Sequence, residues 1–166
     1  MRDSRREELF TQWLVDHRGI VVKVARSFTS THADTDDLIQ EILLRLWTSM
    51  DAYRGDAKSS TWIYRVALNR ALTWRRGSNR RPAESPPDSL RHMAAPTNAE
   101  DQYRLNLLYQ HIRQLSKIDR SLILLSLDGF SYAEMSAIAG ISESNVGARL
   151  TRARTALSTM IAEASR

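Results

Sequence analysis

The chain has 166 residues, enough for one ordinary domain or two small ones, and a formal charge of +5. With an isoelectric point near 10.0, that balance favours a polyanionic partner without requiring one. There is no cysteine, which excludes disulfides and thiolate metal sites; the apolar runs are too short to span a bilayer, and residues 1–8 are mostly charged where a secretory signal would be apolar. A cytoplasmic soluble protein with no membrane insertion of its own is expected.

Apolar residues recur at helical spacing throughout, with no alternating strand and no internal repeat, so the expected class is all-α. Leu9, Phe10, Trp13 and Leu14 make the buried side of a first helix and residues 20–28 a second, with Gly19 as the break between them. Asp34 is placed to cap a third helix running to about Met50. Leu38, Ile39, Ile42, Leu43, Leu46 and Trp47 fill its buried arc, and Asp36, Asp37, Gln40, Glu41 and Leu44 gather on the far side. An exposed leucine ringed by acids and an amide suits a basic partner helix; a solvated acidic face is the alternative. Catalysis is not expected there, since the carboxylates have no histidine and no shaped pocket.

Residues 54–60 form a polar, glycine-containing loop that includes Arg54, Asp56, Lys58 and Ser60, and Ser60 or Thr61 is placed to cap the next helix. Ile63, Val66, Ala67 and Ala71 supply its core side, while Trp62, Arg65, Asn69, Thr73 and Arg76 follow another face. An aromatic with hydrogen-bonding and cationic groups beside a polar loop suits nucleic acid with unstacked bases. Trp62 as an ordinary core residue is the alternative. Residues 77–98 then hold all four prolines and few large apolar side chains, the composition of a linker. The expected architecture is two small helical domains, 1–78 and 101–166, joined by a flexible proline-rich linker over 79–100.

In the second domain Leu105, Leu108, Ile112 and Leu115 share one helix face, Ser116 caps the next helix and Gly129 ends it. Ser131 followed by Glu134 is a capping box, so a short helix starts at Tyr132 and runs to about Ala139. Gly140 supplies the left-handed stop and Ser142 the cap of a longer helix. Val146, Leu150, Ala153, Leu157 and Ile161 are its buried stripe. Ser144, Asn145, Ala148, Arg149, Thr151 and Arg152 lie opposite, short and polar first and basic further along. That is the composition of a helix-turn-helix recognition helix, whose early residues reach base edges while arginines hold phosphates. An amphipathic hairpin with a solvated basic face is the alternative.

Taken together, these segments resemble the extracytoplasmic-function group of bacterial sigma factors, the dissociable promoter-recognition subunits of RNA polymerase. DTDDLIQEILLRLW resembles the group's polymerase-binding helix, RGDAKSSTWIYRVALNRAL its downstream-promoter segment, and LDGFSYAEMSAIAGISESNVGARLTRAR its upstream helix-turn-helix. The resemblance implies that Asp36, Asp37, Gln40 and Glu41, with Leu44 among them, dock the basic coiled coil of the polymerase largest subunits. It implies that the loop over residues 54–60 captures an extruded base of the −10 element, that Arg65 and Asn69 contact the same segment, and that Trp62 packs beside the melting junction or stays in the core. Ser144, Asn145, Ala148, Arg149 and Arg152 would read the −35 duplex, Arg152 on a phosphate and Asn145 and Arg149 nearer the groove floor.

The implied function is a transcription initiation factor, not an enzyme. Its implied partners are core RNA polymerase and promoter DNA, and it needs no cofactor; in holoenzyme it would associate with the nucleoid. Members of the group are frequently sequestered by an anti-sigma protein, which adds that class of partner without identifying it. With no domain following Arg166, sensing by a fused module is not expected. Two positions depart from the group: Gly147, where many relatives carry lysine or arginine, and Thr73, where they carry an acid. Glycine there costs about 1 kcal/mol of helix stability against alanine. The competing readings are a stand-alone two-domain helix-turn-helix regulator and, more remotely, a nucleic-acid-processing enzyme. For the enzyme no metal-ligand cluster, phosphate loop or nucleophile with a base is visible.

Overall fold

The computed structural model describes residues 2–74 and 98–166. The chain divides into two compact units, Met1–Ala94 and Ala95–Arg166, and the described residues of both are helical, without strand. Most of the expected linker, and the Arg76 position, lie outside the described residues.

The first unit is built from α1 (Arg2–Phe28), α2 (His32–Ser49), a 3-10 turn (Met50–Ala52) and α3 (Ser59–Thr73). α1 is one continuous helix where two were expected. Phe10, Trp13, Ile20, Val21, Val24 and Ala25 keep helical spacing across Gly19 and are all buried, while Gly19 itself faces solvent. Packing along that unbroken stripe outweighs the small propensity cost of one exposed glycine. Leu9, expected inside, is 43% exposed, because it falls beside the stripe that Phe10 leads.

Two caps also differ from expectation. Thr31, not Asp34, caps α2: its hydroxyl accepts from the Asp34 backbone N–H, which places Asp34 inside the first turn. α3 begins earlier than expected, with Lys58 at the cap and no side-chain hydrogen bond there. Its first residue is held instead from α1, where His17 Nε2 lies 2.9 Å from Ser59 Oγ. Ile63, Val66, Ala67 and Ala71 are buried as expected, and so are Tyr64 and Leu68. α3 is therefore enclosed over most of its circumference by α1 and α2.

The second unit contains α4 (Ala99–Ile112), α5 (Lys117–Leu127), α6 (Tyr132–Ala139) and α7 (Glu143–Ala164). Asn98 caps α4, so Ala99 and Glu100, allotted to the linker, form its first turn. Ile112, at the end of α4, and Leu115, in the turn that follows it, are buried, and Ser116 caps α5 by accepting from the Asp119 N–H. The turn after α5 is closed by Phe130 N–H to the Leu125 carbonyl and Gly129 N–H to the Ser126 carbonyl, with Gly129 at φ 78°. That pair of bonds is the Schellman stop, which needs a left-handed residue there. Arg120 ties the preceding turn by donating to the carbonyls of Arg113 and Leu115 at 2.8 and 2.9 Å. Burial, with the charge of Arg113 second, lowers its pKa from the ordinary guanidinium value.

Gly19 sits in the exposed interior of α1, and a Cβ added there meets nothing within 4 Å. Gly19→Ala should therefore stabilise the first unit by about 1 kcal/mol. All four tryptophans (Trp13, Trp47, Trp62 and Trp74) lie in that unit, so urea unfolding followed by tryptophan fluorescence reads the effect directly.

Candidate polymerase and nucleic-acid interfaces

On α2, Asp36, Asp37, Gln40, Glu41 and Leu44 share one stripe, as their three- and four-residue spacing requires, but they are not equally available. Asp36 is exposed, with its carboxylate 3.7 Å from His32 Nε2 one turn earlier. Asp37 and Gln40 are half-buried. Leu44, expected to be exposed, is half-buried as well. Glu41 differs most: its side chain is only 16% exposed and forms an ion pair with Arg70 of α3. Arg70 also donates to Thr73 Oγ1 at 3.1 Å. Glu41 thus bonds within the fold and does not stand on a solvated acidic face. Thr73, the departure from an acid noted above, serves as a neutral second acceptor for the same guanidinium.

Arg54, Asp56 and Lys58 are exposed on the loop between the 3-10 turn and α3, and Gly55 takes φ 80°. Ser60 is half-buried in the first turn of α3. Trp62, Arg65 and Asn69 follow along α3, the first two half-buried and Asn69 exposed. The Trp62 ring packs against Tyr53, with centroids 5.7 Å apart, and its indole N–H is buried with no hydrogen-bond partner. Trp62 is accordingly part core and part surface. Tyr53, not singled out in the sequence, also meets Trp13 edge-on at 5.0 Å and donates its hydroxyl to the Ala57 carbonyl at 2.8 Å. An aromatic immediately before a polar loop was the only signal for it.

In the second unit the expected motif forms locally as its residues dictate. Ser131 Oγ accepts from the Glu134 N–H and the Glu134 carboxylate accepts from the Ser131 N–H, completing the capping box. Gly140 ends α6 at φ 71°, and Ser142 caps α7 by accepting from the Asn145 N–H. Val146, Leu150, Ala153 and Leu157 are buried, but Ile161 is 45% exposed, because α7 continues past the helices it packs on. Ser144, Asn145, Ala148 and Arg152 are exposed together on the other side.

Arg149 does not join them. It is half-buried and donates to Asp119 of α5 at 2.9 Å, a contact thirty residues away in sequence that the helix periodicity could not reveal. In this fold its guanidinium is therefore held towards α5 and is only partly exposed on the outward face. Gly147 also acquires a physical reason: a Cβ there would lie 3.2 Å from the Tyr132 ring, at the start of α6.

A model of sigma-70 region 2 matches residues 14–81, and one of sigma-70 region 4 matches residues 105–157. The ECF RNA polymerase sigma-E factor of Escherichia coli (strain K12) is 31% identical over 137 residues, spanning 75% of this chain and 72% of the relative. The chain belongs to the extracytoplasmic-function sigma factors. It is an alternative sigma factor that directs RNA polymerase to promoters, which sets aside the stand-alone regulator. RNA polymerase sigma factor NccH of Alcaligenes xylosoxydans xylosoxydans is 28% identical over 160 residues, covering 92% of this chain and 86% of the relative. The fold is also that of the sigma factor RpoE solved in complex with the anti-sigma factor NepR from Bartonella quintana: TM-score 0.69, 21% identity, 92% of this chain and 96% of that one. No helix among the described residues is long and apolar enough to cross a membrane.

The Glu41–Arg70 pair predicts a stability effect in this sigma factor that a solvated acid would not produce. Glu41→Lys should destabilise the first unit by about 2–3 kcal/mol, because it leaves two cations facing each other in a half-buried site. Combining Glu41→Lys with Arg70→Glu should recover most of the loss. Tryptophan-monitored urea unfolding of the three variants checks both outcomes.

Proposed function

We propose that residues 1–78 form the unit that binds core polymerase and the −10 element, residues 79–100 the linker, and residues 101–166 the unit that binds the −35 element. The observation that carries this reading is how the outward residues sort by chemistry. α2 offers Asp36, Asp37 and Gln40 with the edge of Leu44; the loop before α3 offers Arg54, Asp56 and Lys58; α7 offers Ser144, Asn145, Ala148 and Arg152.

An acidic face with a partly covered leucine suits the basic coiled coil of the polymerase, where complementary charge steers and orients docking. The charged loop, with Ser60, Trp62, Arg65 and Asn69 following it, suits an unstacked strand, since extruding a base needs a fitted pocket to offset lost stacking. On α7, short polar side chains near the helix start suit base edges, and Arg152 a phosphate. Arg149 supports α7 through Asp119 and is left out of the reading set. Glu41 supports α2 through Arg70 and contributes at most indirectly to docking.

The protein acts by binding and leaves the chemistry to the polymerase. Joining two modest DNA readers on one tether raises effective concentration, so the two elements together select the promoter. Such a factor works in the cytoplasm, with the nucleoid when in holoenzyme. By likeness to the RpoE relative, which was solved with an anti-sigma factor, a protein of that class is a partner that would hold this chain away from polymerase.

Reversing the exposed Asp36 and the half-buried Asp37 of α2 together, Asp36→Lys with Asp37→Lys, should weaken binding to core polymerase by several kcal/mol through like-charge contact with a basic partner. Helicity by circular dichroism should be retained. Undiminished polymerase affinity in the folded variant would remove α2 as the docking helix.

On DNA the two kinds of contact separate by salt. Arg152→Ala should weaken holoenzyme binding to preferred and scrambled upstream sequences alike and reduce the salt slope by about one. Asn145→Ala should cost about 1–3 kcal/mol on the preferred sequence only. Equal losses for both variants on both sequences would make α7 a basic clamp instead of a sequence reader.

A further inference from the structure

Tyr53 is the last residue before the loop assigned above to base capture, and it is held from several directions. Its ring stands edge-on to Trp13, a buried residue of α1, at 5.0 Å and 85°. It tilts at 52° against Trp62 of α3, 5.7 Å away. Aromatic pairs at these separations attract, so the ring is tied to two helices that pack on each other. From that fixed ring the hydroxyl reaches across the loop and donates to the Ala57 carbonyl at 2.8 Å.

The far end of the loop is anchored as well, through Ser59 Oγ and His17 Nε2 at 2.9 Å. Between the anchors Gly55 takes a positive φ of 80°, and Arg54, Asp56 and Lys58 point to solvent while Ala57 turns partly inward. The loop is short, fastened at both ends, and crossed at its middle by a single side-chain hydrogen bond. That bond fixes which way the Ala57 peptide faces, and hence how its charged neighbours are presented.

We propose that Tyr53 is a positioning residue for recognition of the −10 element. Its hydroxyl, acting through the Ala57 carbonyl, presets the loop backbone that shapes the pocket for the unstacked base. The inference rests on the assignment of that loop to base capture. A loop that orders only on binding loses conformational entropy at that moment, equally for every base, whereas a preset pocket tells bases apart by fit. Phenylalanine at this position would keep both ring contacts and lose only the bond to Ala57. Tyr53→Phe therefore isolates the proposed role.

The test uses holoenzyme assembled from core polymerase with the wild-type chain, Tyr53→Phe or Asp56→Ala. The probes are four versions of one promoter, selected from a randomised duplex library, that differ only in the base at the unpaired −10 position. Open-complex formation on the four gives a discrimination ratio for each protein. Loss of one hydrogen bond should lower that ratio about three- to tenfold in Tyr53→Phe, with affinity for core polymerase and upstream preference unchanged. If Asp56→Ala loses discrimination and Tyr53→Phe keeps it, the loop reads the base but Tyr53 does not position it, and the inference is overturned. If neither variant changes the ratio, the loop assignment fails and the inference fails with it. A Tyr53→Phe chain that binds polymerase poorly would also overturn it, since the residue would then serve the fold as a whole.

Discussion

The enclosure of α3 governs the first unit. With Ile63, Tyr64, Val66, Ala67, Leu68 and Ala71 all buried, the helix has given most of its surface to α1 and α2. What it can present outward is one narrow stripe, through Trp62, Arg65 and Asn69. A helix held over so much of its circumference cannot rotate or shift without opening the core, because interiors at this packing density resist displacement. Side chains on the stripe, and the loop that leads into it, therefore sit on a rigid support. The aromatic ladder of Trp13, Tyr53 and Trp62 extends that rigidity from the core to the edge of the loop.

Both units also turn inward a charge that the helix pattern assigns to the surface. Glu41 meets Arg70 between α2 and α3, and Arg149 meets Asp119 between α7 and α5. In each case the helix carrying the candidate interface is pinned to its neighbour by one of the ionic groups on its own surface. Such pairs contribute modestly to net stability, since desolvation offsets much of the attraction. Their geometric effect is larger, because a guanidinium fixed to a carboxylate sets the rotation of the helix that bears it. The chemistry left outward is correspondingly less charged than the sequence suggests.

Legibility in the sequence follows the range of the interaction. The capping box at Ser131 and Glu134, the left-handed Gly140, the Ser142 cap and the stripe from Val146 to Leu157 were readable because each is fixed within a few residues of chain. Gly19 misled because its cost is local, whereas the continuity of α1 comes from tertiary burial of Ile20, Val21 and Val24. Ile161 misled because periodicity marks a face without saying where the neighbouring helices stop. The two ion pairs were invisible for a stronger reason: their partners lie 29 and 30 residues apart. Helical spacing shows which residues share a face but carries no information about what crosses to meet them.

Gly147 shows how a departure in sequence becomes a physical feature. Glycine at the fifth position of α7 costs about 1 kcal/mol of helix stability, so something must favour its retention in the fold. Tyr132 supplies a reason: a Cβ at 147 would stand 3.2 Å from its ring, which would have to give by a few tenths of an ångström. The glycine lets the first residue of α6 lie directly over the second turn of α7. In the proposed binding mode a position that could carry a cation instead carries an aromatic ring, and Arg149 is already committed to Asp119. The start of α7 then exposes one acid, Glu143, and offers no unpaired cation before Arg152, so its selectivity has to come from short hydrogen-bonding groups and shape. Bulk attraction to phosphates must come from elsewhere.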